Sequence, residues 1–315
     1  MGLSNVDTIK EEAFELPLFL CVGQTRMLGR HMSVQAEILG IVNITRDSFS
    51  DGGRFLDPAR ALAHCAKLLG EGAQVLDLGP ASSNPDAEEV SAEDEVGRLA
   101  PVFDGLDKLE VYDRSDFQVS VDSFQTETQR YALSRGVDYL NDIQGFSEPA
   151  FYTELAASTA KLIVMHSVQA SGIATRDEVG VADMISHICA FYDDRLAALE
   201  GAGIARDRLI LDPGMGFFLS PDPDVSFEVL ARIDEIKARY QLPVLISVSR
   251  KSFLRSATGK TAAQAGAASL AAELMAVMGG ADFIRTHEPA PLRDGLAVWQ
   301  ALGARAQEPP VSTEL

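Results

Sequence analysis

Asn43, Asp77, Asp122, Asn141 with Asp142, His166, Asp212, Arg250 with Lys251, and Arg285 with His287 share one property: each closes a short apolar run. Carboxylates and carboxamides of this kind accept N–H donors, and the Arg, Lys and His members can hold an anion. One or two such residues would be ordinary strand terminators. A polar group at the end of every run instead implies a ring of side chains around one mouth. The stretch DLGPASSNPDA, residues 77–87, raises a separate question. After Asp77 it contains no Lys, Arg, His or Glu, although it follows an apolar run where enzymes often place their chemistry.

The elements that must position this ring are the apolar runs themselves. They are EILGIVNI (37–44), VLDLG (75–79), FQVSVDS (117–123), YLNDI (139–143), LIVMH (162–166), LILDPG (209–214), PVLISVS (243–249) and FIRTH (283–287). All are rich in β-branched residues and nearly continuous in hydrophobicity, as parallel strands buried on both faces require. Between them lie amphipathic helical patterns, among them ARALAHCAKLLGEG, TQRYALSRG, SHICAFYDDRLAALEGAG and AGAASLAAELMAVMGG. Several end in Gly, a common helix stop. Eight β–α units without a composition break predict an α/β fold, a (β/α)8 TIM barrel in a single domain over 37–304. A doubly wound sheet is the alternative, because strand counting does not demonstrate closure. In a barrel, function sits at the carboxyl ends of the strands. Residues 1–36 have no periodic counterpart and read as an N-terminal extension, with Met32 an alternative start; 305–315 reads as a C-terminal tail.

Composition narrows the partners. The chain has 315 residues, 46% of them hydrophobic, and 27 basic against 46 acidic groups give a net charge of −19. Such a field repels nucleic acid and anionic membranes, so an anionic ligand needs a local basic pocket. Cys21, Cys65 and Cys189 have no metal-like spacing, and their odd number argues against a disulfide framework. A reducing cytoplasm is the expected location. LPLFLCV (17–23) is too short to span a bilayer and follows an acidic segment, unlike a secretory signal.

The motifs GIVNITRDSFSDGG, SVDS, NDI, MH, LDPGMGF, SVSRKSF and RTH, in this order and each at a strand end, resemble dihydropteroate synthase over roughly 37–303. That family joins 6-hydroxymethyl-7,8-dihydropterin pyrophosphate to p-aminobenzoate and releases pyrophosphate. By resemblance, Asp122, Asn141, Met165, Asp212 and Lys251 line the pterin pocket. Asp122, Lys251, Arg285 and His287 are the catalytic set. Asn43, Ser83, Arg285 and His287 face the pyrophosphate, and His166 is a further candidate for that group. Ser252, Arg250, Asn84, Phe217 and Phe218 surround p-aminobenzoate. Asn43 matches the family's Mg2+-associated asparagine, a lone weak ligand for an ion held mainly by pyrophosphate and water. The helical His64 and His187 are expected to be structural or exposed. A homodimer formed through late helices is also implied, and AAQAGAASLAAELMAVMGG suits close helix packing.

The departures from the family are specific. Where common members read D-x-G-G-E-S-T-R-P-G-A, the glutamate is Ala81, the threonine Ser83, the arginine Asn84 and a glycine Asp86. Arg46 stands in the first loop, and the usual G-F-G-K is Gly216-Phe217-Phe218-Leu219. This combination looks like the sulfonamide-insensitive Sul branch. A wall of Phe217, Phe218 and the rebuilt 80–86 loop would reject a drug that extends beyond the p-aminobenzoate carboxylate. The competing readings are a methyltetrahydrofolate–corrinoid methyltransferase and a non-catalytic pterin-binding protein. A metal hydrolase is disfavoured by the lack of His-x-His pairs.

Overall fold

The computed structural model describes residues 35–45, 57–82, 89–109, 112–168 and 179–306. Most of the expected extension, the tail beyond 306, and Arg46, Ser83, Asn84 and Asp86 lie outside these residues. The strands are β1 (Glu37–Asn43), β2 (Val75–Gly79), β3 (Gln118–Asp122) and β4 (Tyr139–Asp142), then β5 (Lys161–Met165), β6 (Leu209–Asp212), β7 (Leu245–Ile246) and β8 (Phe283–Thr286). All pair in parallel in the order β6-β5-β4-β3-β2-β1-β8-β7. The seam closes through a parallel bridge between Leu211 and Val244, with the Leu211 amide donating to Pro243 O at 2.9 Å. The sheet is therefore a (β/α)8 barrel, which excludes the doubly wound alternative. The seventh run is expected over 243–249, yet only Leu245 and Ile246 form regular strand. Pro243 begins that run without an amide proton to contribute to the ladder.

The helices are α1 (Pro58–Gly70), α2 (Ala92–Leu106), α3 (Thr126–Ser134), α4 (Tyr152–Ala157), α5 (Met184–Gly201), α6 (Pro223–Ala231), α7 (Ile233–Tyr240), α8 (Ser252–Thr258), α9 (Gly266–Met278) and α10 (Pro289–Ala306). Local chemistry starts several of them. Asp57 Oδ1 accepts from Ala59 N ahead of Pro58, and Ser91 Oγ accepts from Asp94 N. Gly40 leaves room for the α1 side chains: a Cβ there would sit 3.1 Å from Leu68 Cδ1.

Alternation along the strands sorts every residue into one of two environments. Leu39, Val75, Tyr139, Ile163, Ile210, Leu245 and Phe283 form one buried apolar cluster, the floor of the barrel interior. Two residues further along these strands stand Ile41, Asp77, Asn141, Met165, Asp212, Ser247 and Arg285, facing the same way. A polar layer therefore rests directly on an apolar one. The opposite parity, which includes Leu76, Val119, Leu140, Val164 and Leu211, faces the helices and is fully buried.

Gly214, just past β6, holds this arrangement at one tight point. Its φ is +76°, and a Cβ would lie 2.4 Å from His166 O. Gly214→Ala should therefore destabilise the fold by about 2 kcal/mol or more. Denaturant unfolding of the two proteins measures this, and an unchanged midpoint would show that the turn relaxes freely.

Candidate active site

Arg285 projects from β8 into the barrel mouth and bridges two carboxylates. Its Nε donates to Asp77 Oδ2 and its Nη2 to Asp122 Oδ2, both at 2.6 Å. Asp77 is wholly buried, while Asp122 and Arg285 retain 13% and 14% side-chain exposure. Burial pushes the Asp122 carboxyl up to about 7, against the pull of Arg285. The guanidinium is held well above its ordinary range by the two carboxylates, which outweigh its own burial. Asp77 was visible in the sequence only as a strand-end polar residue with no assigned role, and the structure makes it the anchor of the arginine.

Around this pair lies a concavity lined by Asp122, Asn141, Met165, Asp212, Lys251 and Arg285, with Ile143, Met215, Phe218 and Ser247 completing its wall. The five residues expected around a pterin are thus brought together. Asn141 is 2% exposed. Its Oδ1 has no hydrogen-bond partner among the described residues, nor does Asp77 Oδ1. Asp212 Oδ1 accepts from Gly214 N at 2.9 Å, and burial raises its carboxyl above the usual range. Burial lowers the Lys251 ammonium to about 8, although Asp212 and Asp122 favour its charge. Its Nζ lies 4.6 Å from the centroid of the Phe218 ring.

Other expected members occupy different positions. His287 is half-buried beside Ser249, with Nδ1 3.1 Å from Ser249 Oγ. Burial, then Arg250, Arg285 and Lys251, push it down to about 3, so the ring is neutral at pH 7. In this neutral form it can meet an anion through an N–H. Ser252 opens α8 and packs against the Gly216 turn, where a Cβ would be 3.3 Å from its Oγ. Phe217 is 48% exposed at the rim, whereas Phe218 lines the central concavity. Arg250, expected beside p-aminobenzoate, is not among the residues lining the concavity. Its φ of 59° redirects the backbone, its amide goes to Ser269 Oγ, and its guanidinium lies 3.6 Å from Glu288.

His166 and Asp142 have the parity that faces outward. His166 is buried behind β5, bonded to Pro213 O and to His187 Nδ1, each at 3.0 Å, so it does not join the mouth. Asp142 takes Gln129 Nε2 from α3 at 2.8 Å. Asn43, at the end of β1, has its Oδ1 3.5 Å from where a Gly79 Cβ would stand. Ser83 and Asn84 lie outside the described residues. Arg98 of α2 holds the region before them, donating from Nη1 to Pro80 O at 2.7 Å, and Glu95 of the same helix accepts at Oε2 from Ser123 Oγ, just past β3, at 2.6 Å. Their side chains carried no recognisable motif, because helix-to-loop contacts across 18 and 28 residues leave no local spacing.

A barrel mouth that combines a buried carboxylate–guanidinium bridge with an unpartnered carboxamide oxygen suits a polar ligand rich in N–H donors. The sequence profile described as "Pterin binding enzyme" matches residues 39–287. The dihydropteroate synthase type-2 of Escherichia coli is 62% identical over 271 residues, covering 86% of this chain and 97% of that protein. The Xanthomonas albilineans dihydropteroate synthase solved with 4-aminobenzoic acid has a TM-score of 0.76 at 34% identity, covering 86% and 94% of the two chains. A Yersinia pestis dihydropteroate synthase in a sulfonamide drug complex gives 0.78 at 29%, covering 86% and 95%. The chain belongs to the dihydropteroate synthases, a family of transferases, in the Sul branch with the type-2 enzyme. The methyltransferase alternative finds no support among these relatives.

Removing one partner of a buried ion pair leaves the other charge uncompensated. Asp77→Asn and Arg285→Met should each destabilise by about 3 kcal/mol or more, and the double variant by clearly less than their sum. Denaturant unfolding of the four proteins closes the cycle. Strict additivity would show that the bridge is not an energetic unit.

Proposed function

We propose that this chain condenses 6-hydroxymethyl-7,8-dihydropterin pyrophosphate with p-aminobenzoate, and that it continues to do so in the presence of sulfonamides. The observation that carries the reaction is the unpartnered Asn141 Oδ1, buried in one wall with Asp122, Asp212 and Lys251. A pterin presents a 2-amino pyrimidinone edge whose N–H groups suit Asp212 and Asn141, while Lys251 donates to its ring acceptors. Such donors satisfy groups that are costly to leave buried and unpaired.

The C–O bond between the pterin methylene and the diphosphate breaks with its electron pair, leaving a resonance-stabilised cation. Asp122, fixed by Arg285, opposes that positive charge; Arg285 and the neutral N–H of His287 face the departing anion. The aniline nitrogen, already neutral at pH 7, attacks the methylene carbon and releases a proton to solvent. Ser252, at the start of α8, holds the p-aminobenzoate carboxylate. Among the described residues no group of three or more His, Cys, Asp or Glu could hold a metal. Asn43, whose carboxamide oxygen is a neutral ligand, would hold a hard ion carried mainly by diphosphate oxygens and water. Magnesium bound there would supply neutralising charge to the diphosphate.

The exposed Phe217 and the Phe218 ring over Lys251 support the drug-excluding wall. Met275, Val298 and Leu302 leave apolar surface exposed on α9 and α10, supporting a homodimer through these helices. A cytoplasmic location is consistent with the acidic surface, and no described helix is long and apolar enough to cross a membrane.

Growth of a cell lacking its own folate synthase, with and without sulfonamide, tests both parts of the reading. Rescue in both media is expected, and no rescue without drug would overturn it. Substituting Phe217 or Phe218 with Leu should lower the sulfonamide inhibition constant by about tenfold, as for other pocket-size changes. An unchanged constant in both variants would remove the wall. Because the Lys251 ammonium is lowered to about 8, its charge is present below that pH and lost above it. Affinity for a dihydropterin without a diphosphate should therefore fall on the alkaline side. Calorimetric titration should show that fall absent in Lys251→Arg; its persistence would assign the titration elsewhere.

A further inference from the structure

Glu273 of α9 lies on the helix-facing side of β8, in a cavity shared with Ser269, Thr286 and Glu288. It is 2% exposed, and its Oε1 has no hydrogen-bond partner among the described residues. Thr286 lines the same cavity, and its hydroxyl favours the ionised form of this carboxyl. Thr286 Oγ1 is 3.4 Å from Ser249 Oγ, which is in turn 3.1 Å from His287 Nδ1. Two hydroxyls thus lie between the buried carboxyl and the histidine of β8.

Each hydroxyl has one proton and two acceptor positions. Backbone amides occupy one acceptor position on each: Glu288 N donates to Thr286 Oγ1 and His287 N to Ser249 Oγ, both at 3.2 Å. The two remaining protons must therefore point the same way along the chain. If Glu273 is protonated, it donates to Thr286, Thr286 to Ser249, and Ser249 to His287 Nδ1. The neutral ring then carries its proton on Nε2. If Glu273 is ionised, every bond reverses, Nδ1 becomes the donor, and Nε2 is left with a lone pair. Passing from the first arrangement to the second releases one proton to water.

We propose that Glu273 is a positioning residue for His287, setting through Thr286 and Ser249 which ring nitrogen carries the proton presented to the departing diphosphate. Only the identity of the group met by Nε2 rests on the reaction proposed above. The surroundings support both arrangements. Burial pushes Glu273 up to about 7, Thr286 opposes the shift and the Glu288 charge adds to it. Glu288 itself faces Arg250. His287 is kept neutral by burial and by Arg250, Arg285, Lys251 and His64.

Nitrogen NMR of the ligand-free full chain labelled in histidine reads the tautomer directly. His287 should be protonated on Nε2 well below the Glu273 transition and on Nδ1 well above it. That dependence should disappear in Glu273→Gln and in Ser249→Ala, and return in Ser249→Thr, which restores the hydroxyl. A wild-type tautomer unchanged across the transition, or a switch persisting in Glu273→Gln or Ser249→Ala, would overturn the proposal. In the synthase reaction, the ratio of wild-type kcat/KM to that of Glu273→Gln should fall about tenfold across the same transition, the size of one hydrogen bond to a charged oxygen. The ratio cancels the titration of Asp122, which both proteins share. A tautomer that switches without a change in that ratio confirms the relay and refutes the diphosphate contact of His287.

Discussion

The Arg285 bridge to Asp77 and Asp122 is the constraint on which the mouth of this barrel depends. One cation from β8 holds carboxylates from β2 and β3, across the intervening β1. The parallel registers make this possible, because β1 pairs with both β2 and β8 and places Leu39 opposite both Val75 and Arg285. The floor of apolar side chains beneath excludes water from below, so opposite charges interact more strongly than they would at the surface. Isolated buried charges would be expensive. Here each carboxylate is paired with a guanidinium that donates a short, charge-assisted bond to it. The arrangement also fixes the direction in which Asp122 can act, which is why a shift in β8 would be felt by a residue on β3.

How much of this was legible in the sequence follows from which physical rule governed each residue. The eight apolar runs and their polar ends were readable because buried parallel strands are continuously hydrophobic, and because barrel chemistry gathers at one rim. Asp122, Asn141, Met165, Asp212 and Lys251 meet as expected. Asp142 and His166 show the limit of that reading: a polar residue at a strand end can face the helices if its parity is odd by one. The Gln129 amide and the His187 ring are what make those buried positions tolerable. Arg250 escaped for another reason. Its left-handed backbone is set by the turn into α8, and no residue-type preference announces it.

The partners of Asp77 were hidden in a different way. An ion pair across 208 residues has no spacing signature, and an aspartate ending an apolar run resembles a cap. The same holds for Arg98 and Glu95, which serve the ends of β2 and β3 from the exterior helix. Only folding shows that the charge-poor stretch after Asp77 begins under the grip of a charged helix.

This changes the meaning of that stretch. A loop that supplies its own arginine must balance two demands, binding an anion and shaping the space for a second substrate. Arg98 grips Pro80 from outside, and Arg285 supplies positive charge at the mouth from within. In the proposed synthase, the residues of the 80–86 segment are then available to set shape, as are Phe217 and Phe218. A bulky side chain can reject a longer ligand by steric overlap, while a shorter one keeps its contacts. Discrimination of that kind needs rigid walls more than additional charges. The fixed φ of Pro80 and its carbonyl bond to Arg98 restrain the backbone at Pro80, where the chain leaves β2.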